Sequence, residues 1–133
     1  MMVALPGSAE AQSTTTLVNV STQLCLDSNT NGDVYTLPCN GGNFQHWQLY
    51  PAGSNSYHII DVSTQRCLDS NTSGNLYTLP CNGGNFQVWM MSGGSSPNSF
   101  QDLSTGLCLD SNASGNAYTQ ACNGGNFQEW QNS

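Results

Sequence analysis

CLDSNTNGDVYTLPCNGGNFQHW, residues 25–47, returns as CLDSNTSGNLYTLPCNGGNFQVW at 67–89 and as CLDSNASGNAYTQACNGGNFQEW at 108–130. The leading cysteines are spaced by 42 and then 41 residues (25 to 67, 67 to 108). A unit copied in this way sets the architecture, because each copy is too small to bury a core alone and must stack on the others. Any site built inside one unit should therefore occur three times.

Working outward, each unit reads as four short strands. The first covers residues 17–20, 57–62 and 99–103, and Cys-Leu-Asp opens the second. The third covers 34–37, 76–79 and 117–120, and the fourth, carrying the tryptophan, covers 46–50, 88–91 and 129–131. Asn-Gly-Gly before the fourth strand is a strong turn signal, since glycine accepts positive φ without a Cβ clash. Residues 51–56 and 92–98 are loop-like in composition and join the units. Twelve evenly spaced strands exclude parallel β-α-β units and point to a closed all-β fold. A β-trefoil with pseudo-threefold closure satisfies the counts, with repeats at about 14–54, 55–96 and 97–133.

Composition narrows the functional classes. Of the 133 residues 37% are hydrophobic and 7% charged, and the net charge of −7 reflects a single base, Arg66, rather than an acidic block. Such a chain repels phosphate backbones and anionic lipid surfaces, so nucleic acid and membrane are excluded as partners and neutral polar ligands are left. No apolar run is long enough to span a bilayer. Residues 1–13 lie outside the repeats and contain Ala9-Glu10-Ala11, which resembles the cleavage end of a signal peptide and implies secretion. Six cysteines permit fifteen pairings. The repetition favours Cys25–Cys39, Cys67–Cys81 and Cys108–Cys122, each closing a loop worth about 3 kcal/mol.

Repeated tryptophans in strands are expected in the core, so Trp47, Trp89 and Trp130 are scaffold, with Leu26, Leu68 and Leu109 beside them. Gln45, Gln87 and Gln128 should tie down backbone polar groups near each tryptophan. The polar residues without an evident scaffold role are Asp27, Tyr35 and Asn40, then Asp69, Tyr77 and Asn82, then Asp110, Tyr118 and Asn123. A carboxylate accepts from two vicinal hydroxyls, an amide donates and accepts, and tyrosine adds a flat face with a polar tip. That trio suits a neutral sugar; the competing reading is that Asp and Asn only brace turns. Leu37 and Leu79 are expected to wall their pockets, whereas Gln120-Ala121 replaces Leu-Pro in the third unit and should weaken or change that site.

A C-x13-C spacing that starts with CLD and is followed by Q-x-W resembles the ricin B-type, or (QxW)3, β-trefoil lectins and the family 13 carbohydrate-binding modules. The resemblance covers about residues 14–131. Within that group the blocks are most similar to those of mannose-binding members that share LDSN-x-x-G-x-VYTLP-x-NGGN-[FY]-Q-x-W. Here all six cysteines are present, where those members lack most, and the variable aromatic is Phe44, Phe86 or Phe127. The resemblance implies that the Asp, Tyr and Asn of each unit bind mannose. It further implies a monomeric lectin, without a cofactor, for high-mannose glycans ending in α1-2-linked mannose. The alternative within the family is a hydrolase's carbohydrate-binding module for xylan-type or galactose-type polysaccharide.

Other chemistries fit poorly. Asp27–Gly32 copies the start of a calcium loop, but position twelve is Pro38, Pro80 or Ala121 instead of glutamate, so no metal is expected. Glycoside hydrolysis needs two carboxylates across a cleft, and each unit shares one. Asp61 and Asp102 recur, but the first unit has Asn19 there; Glu10, Asp33 and Glu129 are unrepeated, and His46 and His58 occupy unrelated positions. A protease-inhibitor trefoil would rely on one distinctive loop, and these loops are near copies.

Overall fold

The computed structural model describes residues 13–132. They form an all-β β-trefoil. Its strands are β1 (Ser13–Thr15), β2 (Leu17–Asn19), β3 (Cys25–Ser28), β4 (Val34–Leu37) and β5 (Trp47–Gly53) in the first repeat. The second has β6 (Ser56–Asp61), β7 (Cys67–Ser70), β8 (Leu76–Leu79) and β9 (Trp89–Met91), and the third β10 (Phe100–Asp102), β11 (Cys108–Ser111), β12 (Ala117–Gln120) and β13 (Trp130–Asn132). The register shows that β1 and β2 are one strand interrupted at Thr16: Thr15 pairs with Trp47 as Tyr57 pairs with Trp89 and Asn98 with Trp130. Four strands per repeat is therefore the correct count.

The barrel closes where chain start meets chain end, with Trp130 opposite Asn19 and Asn132 opposite Leu17 on β13 and β2. Leu17, Ile59 and Phe100 occupy equivalent positions in the core, as do Leu26, Leu68 and Leu109 and the three tryptophans, and all are fully buried. Each indole N–H donates to a leucine carbonyl of its own repeat: Trp47 to Leu26 at 3.0 Å, Trp89 to Leu68 at 3.0 Å and Trp130 to Leu109 at 3.1 Å. The polar edge of each ring is thus satisfied, which makes its burial favourable.

Three hairpins, β3–β4, β7–β8 and β11–β12, cap one end of the barrel. They are stitched across repeats by backbone bonds from Thr36 N to Gly115 O, Thr78 N to Gly32 O and Thr119 N to Gly74 O, at 2.9, 2.9 and 3.0 Å. The loop of each unit thus docks on the third strand of another. This approach demands glycine: Gly74 has φ +88°, and a Cβ there would lie 2.9 Å from the Thr119 carbonyl oxygen.

Two expectations need correction. Residues 51–56 are not a loop, because β5 runs on to Gly53 and pairs with β6 through a register shift between Pro51 and Gly53. The shift falls just after Pro51, which still faces Tyr57, and leaves Ala52 as the extra residue. Between Asn-Gly-Gly and the tryptophan strand each repeat also inserts a 3-10 turn, at Asn43–Gln45, Asn85–Gln87 and Asn126–Gln128. The leader reading concerns residues 1–13, of which 1–12 lie outside the described residues, while Ser13 opens β1 opposite Leu49.

Replacing Gly74 by Ala should combine a left-handed backbone penalty of about 1–2 kcal/mol with a backbone clash. Urea denaturation should show a loss of at least that size, and an unchanged midpoint would refute the tight docking of this loop.

Candidate functional site

Asp and Tyr of each repeat are direct cross-strand partners: Asp27 faces Tyr35, Asp69 faces Tyr77 and Asp110 faces Tyr118. The period of two along a strand puts Leu37 on the same face as Tyr35, Leu79 with Tyr77 and Gln120 with Tyr118. Cys25–Cys39, Cys67–Cys81 and Cys108–Cys122 are formed as expected, with Cα separations of 5.1, 5.0 and 5.1 Å. They hold the start of the second strand against the residue before the Asn-Gly-Gly turn.

That turn folds back over the hairpin under the control of the Q-x-W glutamine. Gln45 Nε2 donates to Asp27 Oδ2 at 2.8 Å and to Pro38 O at 3.1 Å, and Gln45 Oε1 accepts from Asn40 N at 2.9 Å. Gln87 and Gln128 repeat all three bonds around Asp69 and Asp110. The expected backbone tether is present. The direct bond to the site carboxylate was not foreseen. Asn40 Oδ1 accepts from Gly42 N at 2.8 Å, as Asn82 and Asn123 do from Gly84 and Gly125. The asparagine oxygen thus braces the turn with one of its two lone pairs, and its amide N–H groups are left for a ligand.

Asp69, Tyr77, Leu79 and Asn82 converge on one open cleft of about 400 Å³ together with Ser70, Asn71, Gly84 and Phe86. A cleft of about 320 Å³ gathers the equivalent Asp110, Tyr118, Gln120 and Asn123 with Phe127. In the first repeat Asp27, Tyr35, Leu37 and Asn40 are held by the same pairing and the same glutamine bonds. The aspartates are only 3–4% exposed. They sit at the cleft floor with one oxygen bonded to glutamine. Sequence reasoning missed Phe44, Phe86 and Phe127, which are 39–43% exposed. Their signal was an aromatic kept in all three turns. It also missed Asn29, Asn71 and Asn112, whose side chains lie at the tyrosine hydroxyls. Burial, and next the Asp27 carboxylate, push the Tyr35 hydroxyl above its ordinary value, so it keeps its proton; Tyr77 and Tyr118 behave likewise.

The calcium-loop look-alike is an Asx turn: Asn29 Oδ1 accepts from Asn31 N and Asp33 N at 2.9 and 3.0 Å. Among the described residues no group of three or more His, Cys, Asp or Glu is placed to hold a metal.

Under the clefts lies a second layer. Ser28 Oγ donates to Asp61 Oδ2 at 2.7 Å and Ser70 Oγ to Asp102 Oδ2 at 2.8 Å. Both carboxylates are fully buried and also cap the following turn, Asp61 through Ser63 N and Thr64 N. They are therefore committed to the scaffold and cannot serve as a second catalytic carboxylate. In the remaining position Asn19 accepts from Ser21 N and Thr22 N and donates to Phe127 O at 2.7 Å, and the buried Ser111 Oγ finds no partner among the described residues.

This fold is that of a carbohydrate-binding β-trefoil module, and the chain belongs to the ricin-type β-trefoil lectin domain family, whose model matches residues 13–130. Among solved structures it is similar to the designed 3-fold symmetric protein ThreeFoil, with 27% identity, TM-score 0.83, and coverage of 90% of this chain and 96% of that one. It is also similar to the hemolytic lectin CEL-III (25% identity, TM-score 0.78, covering 89% of this chain and 29% of that one). A third likeness is to 1,3Gal43A, an exo-β-1,3-galactanase from Clostridium thermocellum (21% identity, TM-score 0.81, covering 97% and 31%). The chain thus spans about a third of the length of the latter two.

Two outcomes follow from the second layer. Ser70→Ala leaves a buried carboxylate short of a donor and should cost about 1–3 kcal/mol, whereas Ser111→Ala removes an unpartnered hydroxyl and should be neutral or stabilising; chemical denaturation distinguishes them. Burial is the largest influence on Asp61 and Asp102 and raises both pKa values despite their hydrogen bonds. The folded chain therefore binds these protons more tightly than the unfolded chain. Their contribution to stability is full below the ordinary carboxyl range and is lost as pH rises through the raised folded values. Melting temperature measured across that window should fall less steeply in an Asp61→Asn/Asp102→Asn variant than in the parent.

Proposed function

We propose that the chain is a secreted, monomeric carbohydrate-binding protein with one sugar cleft per repeat. The observation that carries this reading is the convergence of Asp69, Tyr77, Leu79 and Asn82 on one open cleft, with the same arrangement at Asp110. Its volume lies at the small end of ligand sites, suited to one sugar ring. The aspartate oxygen not held by glutamine accepts from vicinal hydroxyls, the asparagine N–H groups donate, and Tyr and Phe faces cover the C–H side of the ring. Secretion is supported by the three disulfides, which persist in oxidising compartments.

Few groups are ordered by one ring and water competes for each bond, so a single cleft binds weakly. Three clefts on one rigid body raise avidity by about 10²–10⁴ on a ligand whose spacing fits.

Two ligand classes have support. A galactose-type or xylan-type polysaccharide, bound as by a module that accompanies a hydrolase, is the one the comparisons favour, since a galactanase carries this fold within its longer chain. High-mannose glycans ending in α1-2-linked mannose are the other. That reading rests on the similarity of the LDSN, VYTLP and NGGNFQ blocks to those of actinohivin.

A glycan array bearing mannosides, galactosides and xylo-oligosaccharides separates the two, and calorimetric titration with the preferred sugar should give close to three sites per chain. Changing Asp27, Asp69 and Asp110 together to Asn keeps an acceptor for each glutamine while removing the carboxylates. The variant should fold by circular dichroism and lose array signal at least tenfold. Full array signal from the folded variant would sink the assignment.

A further inference from the structure

The repeats are not copies: Asp33 acts on Tyr35 in the first where the others have Asn75 and Asn116, and the third differs in its wall. Where clefts one and two present Leu37 and Leu79, 43% and 39% exposed, the third presents the exposed side chain of Gln120. Where Ser28 and Ser70 donate to a buried carboxylate, the buried Ser111 Oγ finds no acceptor among the described residues. The residue beneath is neutral Asn19 instead of the buried Asp61 or Asp102.

We infer that the third cleft selects a sugar carrying an acetamido group, with Gln120 as the specificity-determining residue, while the first two select plain hexoses. This inference rests on the carbohydrate reading above. An exposed leucine offers methyl groups to the C–H edge of a ring and nothing to an amide. Glutamine forfeits that apolar contact, but its side-chain amide is self-complementary to an acetamido group, donating to the carbonyl and accepting from the N–H. Covering or losing about 50 Å² of leucine surface is worth roughly tenfold in affinity.

The amides of Gly42, Gly84 and Gly125 occupy equivalent turns and report one cleft each in a ¹H–¹⁵N NMR titration of the whole chain. The probes are methyl α-mannoside, methyl β-galactoside and their 2-acetamido-2-deoxy counterparts. Plain glycosides should shift Gly42 and Gly84 at about tenfold lower concentration than Gly125, and at least one acetamido probe should reverse that order. Gln120→Leu should abolish the reversal, and Leu79→Gln should confer it on Gly84; both positions are exposed, so both variants fold. Equal midpoints at the three glycines for every probe, or a Gly125 preference unchanged by Gln120→Leu, would overturn the inference. If no probe moves any of the three, the carbohydrate reading itself fails, and the inference with it.

Discussion

Each repeat depends on one buried glutamine. Gln45 holds the Asp27 carboxylate with its N–H, closes the turn through Pro38 O and Asn40 N, and stands two residues before Trp47 at the centre of the barrel. One side chain thus links the packed interior to the cleft floor. A carboxylate at 4% exposure would be costly if it faced only apolar groups, and the glutamine supplies the donor that makes its position tolerable. The same bond fixes which oxygen is left for a ligand. The site is therefore ordered before any ligand arrives, and little entropy is lost at the cleft on binding.

Threefold reuse has a consequence for substitutions. A polar pair that bridges two repeats exists three times, and changing one member in one repeat strands its partner in another. Asn19 in place of aspartate keeps the turn cap and gains a bond to Phe127 O, but leaves Ser111 Oγ without an acceptor among the described residues. Arg66 does the reverse at the hairpin cap. It stands where the other repeats have Leu24 and Leu107, and donates to Thr78 Oγ1 and Thr78 O at 3.2 and 2.9 Å. The matching hydroxyls of Thr36 and Thr119 are buried without partners among the described residues. Symmetry of sequence is thus a poor guide to symmetry of hydrogen bonding.

The strands, the disulfide pairing and the Asp–Tyr pairing of each repeat were legible because they follow from local spacing: period two, a repeated Cys pair, and polar residues kept three times. What escaped was set by contacts distant in sequence or by one residue serving two ends. Asn40 reads as a two-way ligand amide until Gly42 N is seen to occupy its oxygen. Phe44 reads as one more apolar residue in a turn, and only the 3-10 geometry turns it outward. Pro51 reads as a loop marker because proline usually ends a strand, yet a bulge lets β5 continue past it. Aspartates 27 and 61 carry the same letter and opposite duties, one facing the cleft and one facing the core, 33 residues from its serine.

The charge of the chain fits this division of labour. With one base and eight acids, the molecule has almost no cations with which to neutralise its carboxylates. Asp27, Asp61 and their counterparts are stabilised by amides and hydroxyls instead. A carboxylate solvated by neutral donors keeps its acceptor strength for a hydroxyl ligand, whereas one paired with arginine would already be satisfied in a bidentate fork. The scarcity of bases is thus a requirement of the cleft as much as a barrier to anionic partners. A neutral, hydroxyl-rich ligand is the class that gains from an acceptor kept in that state.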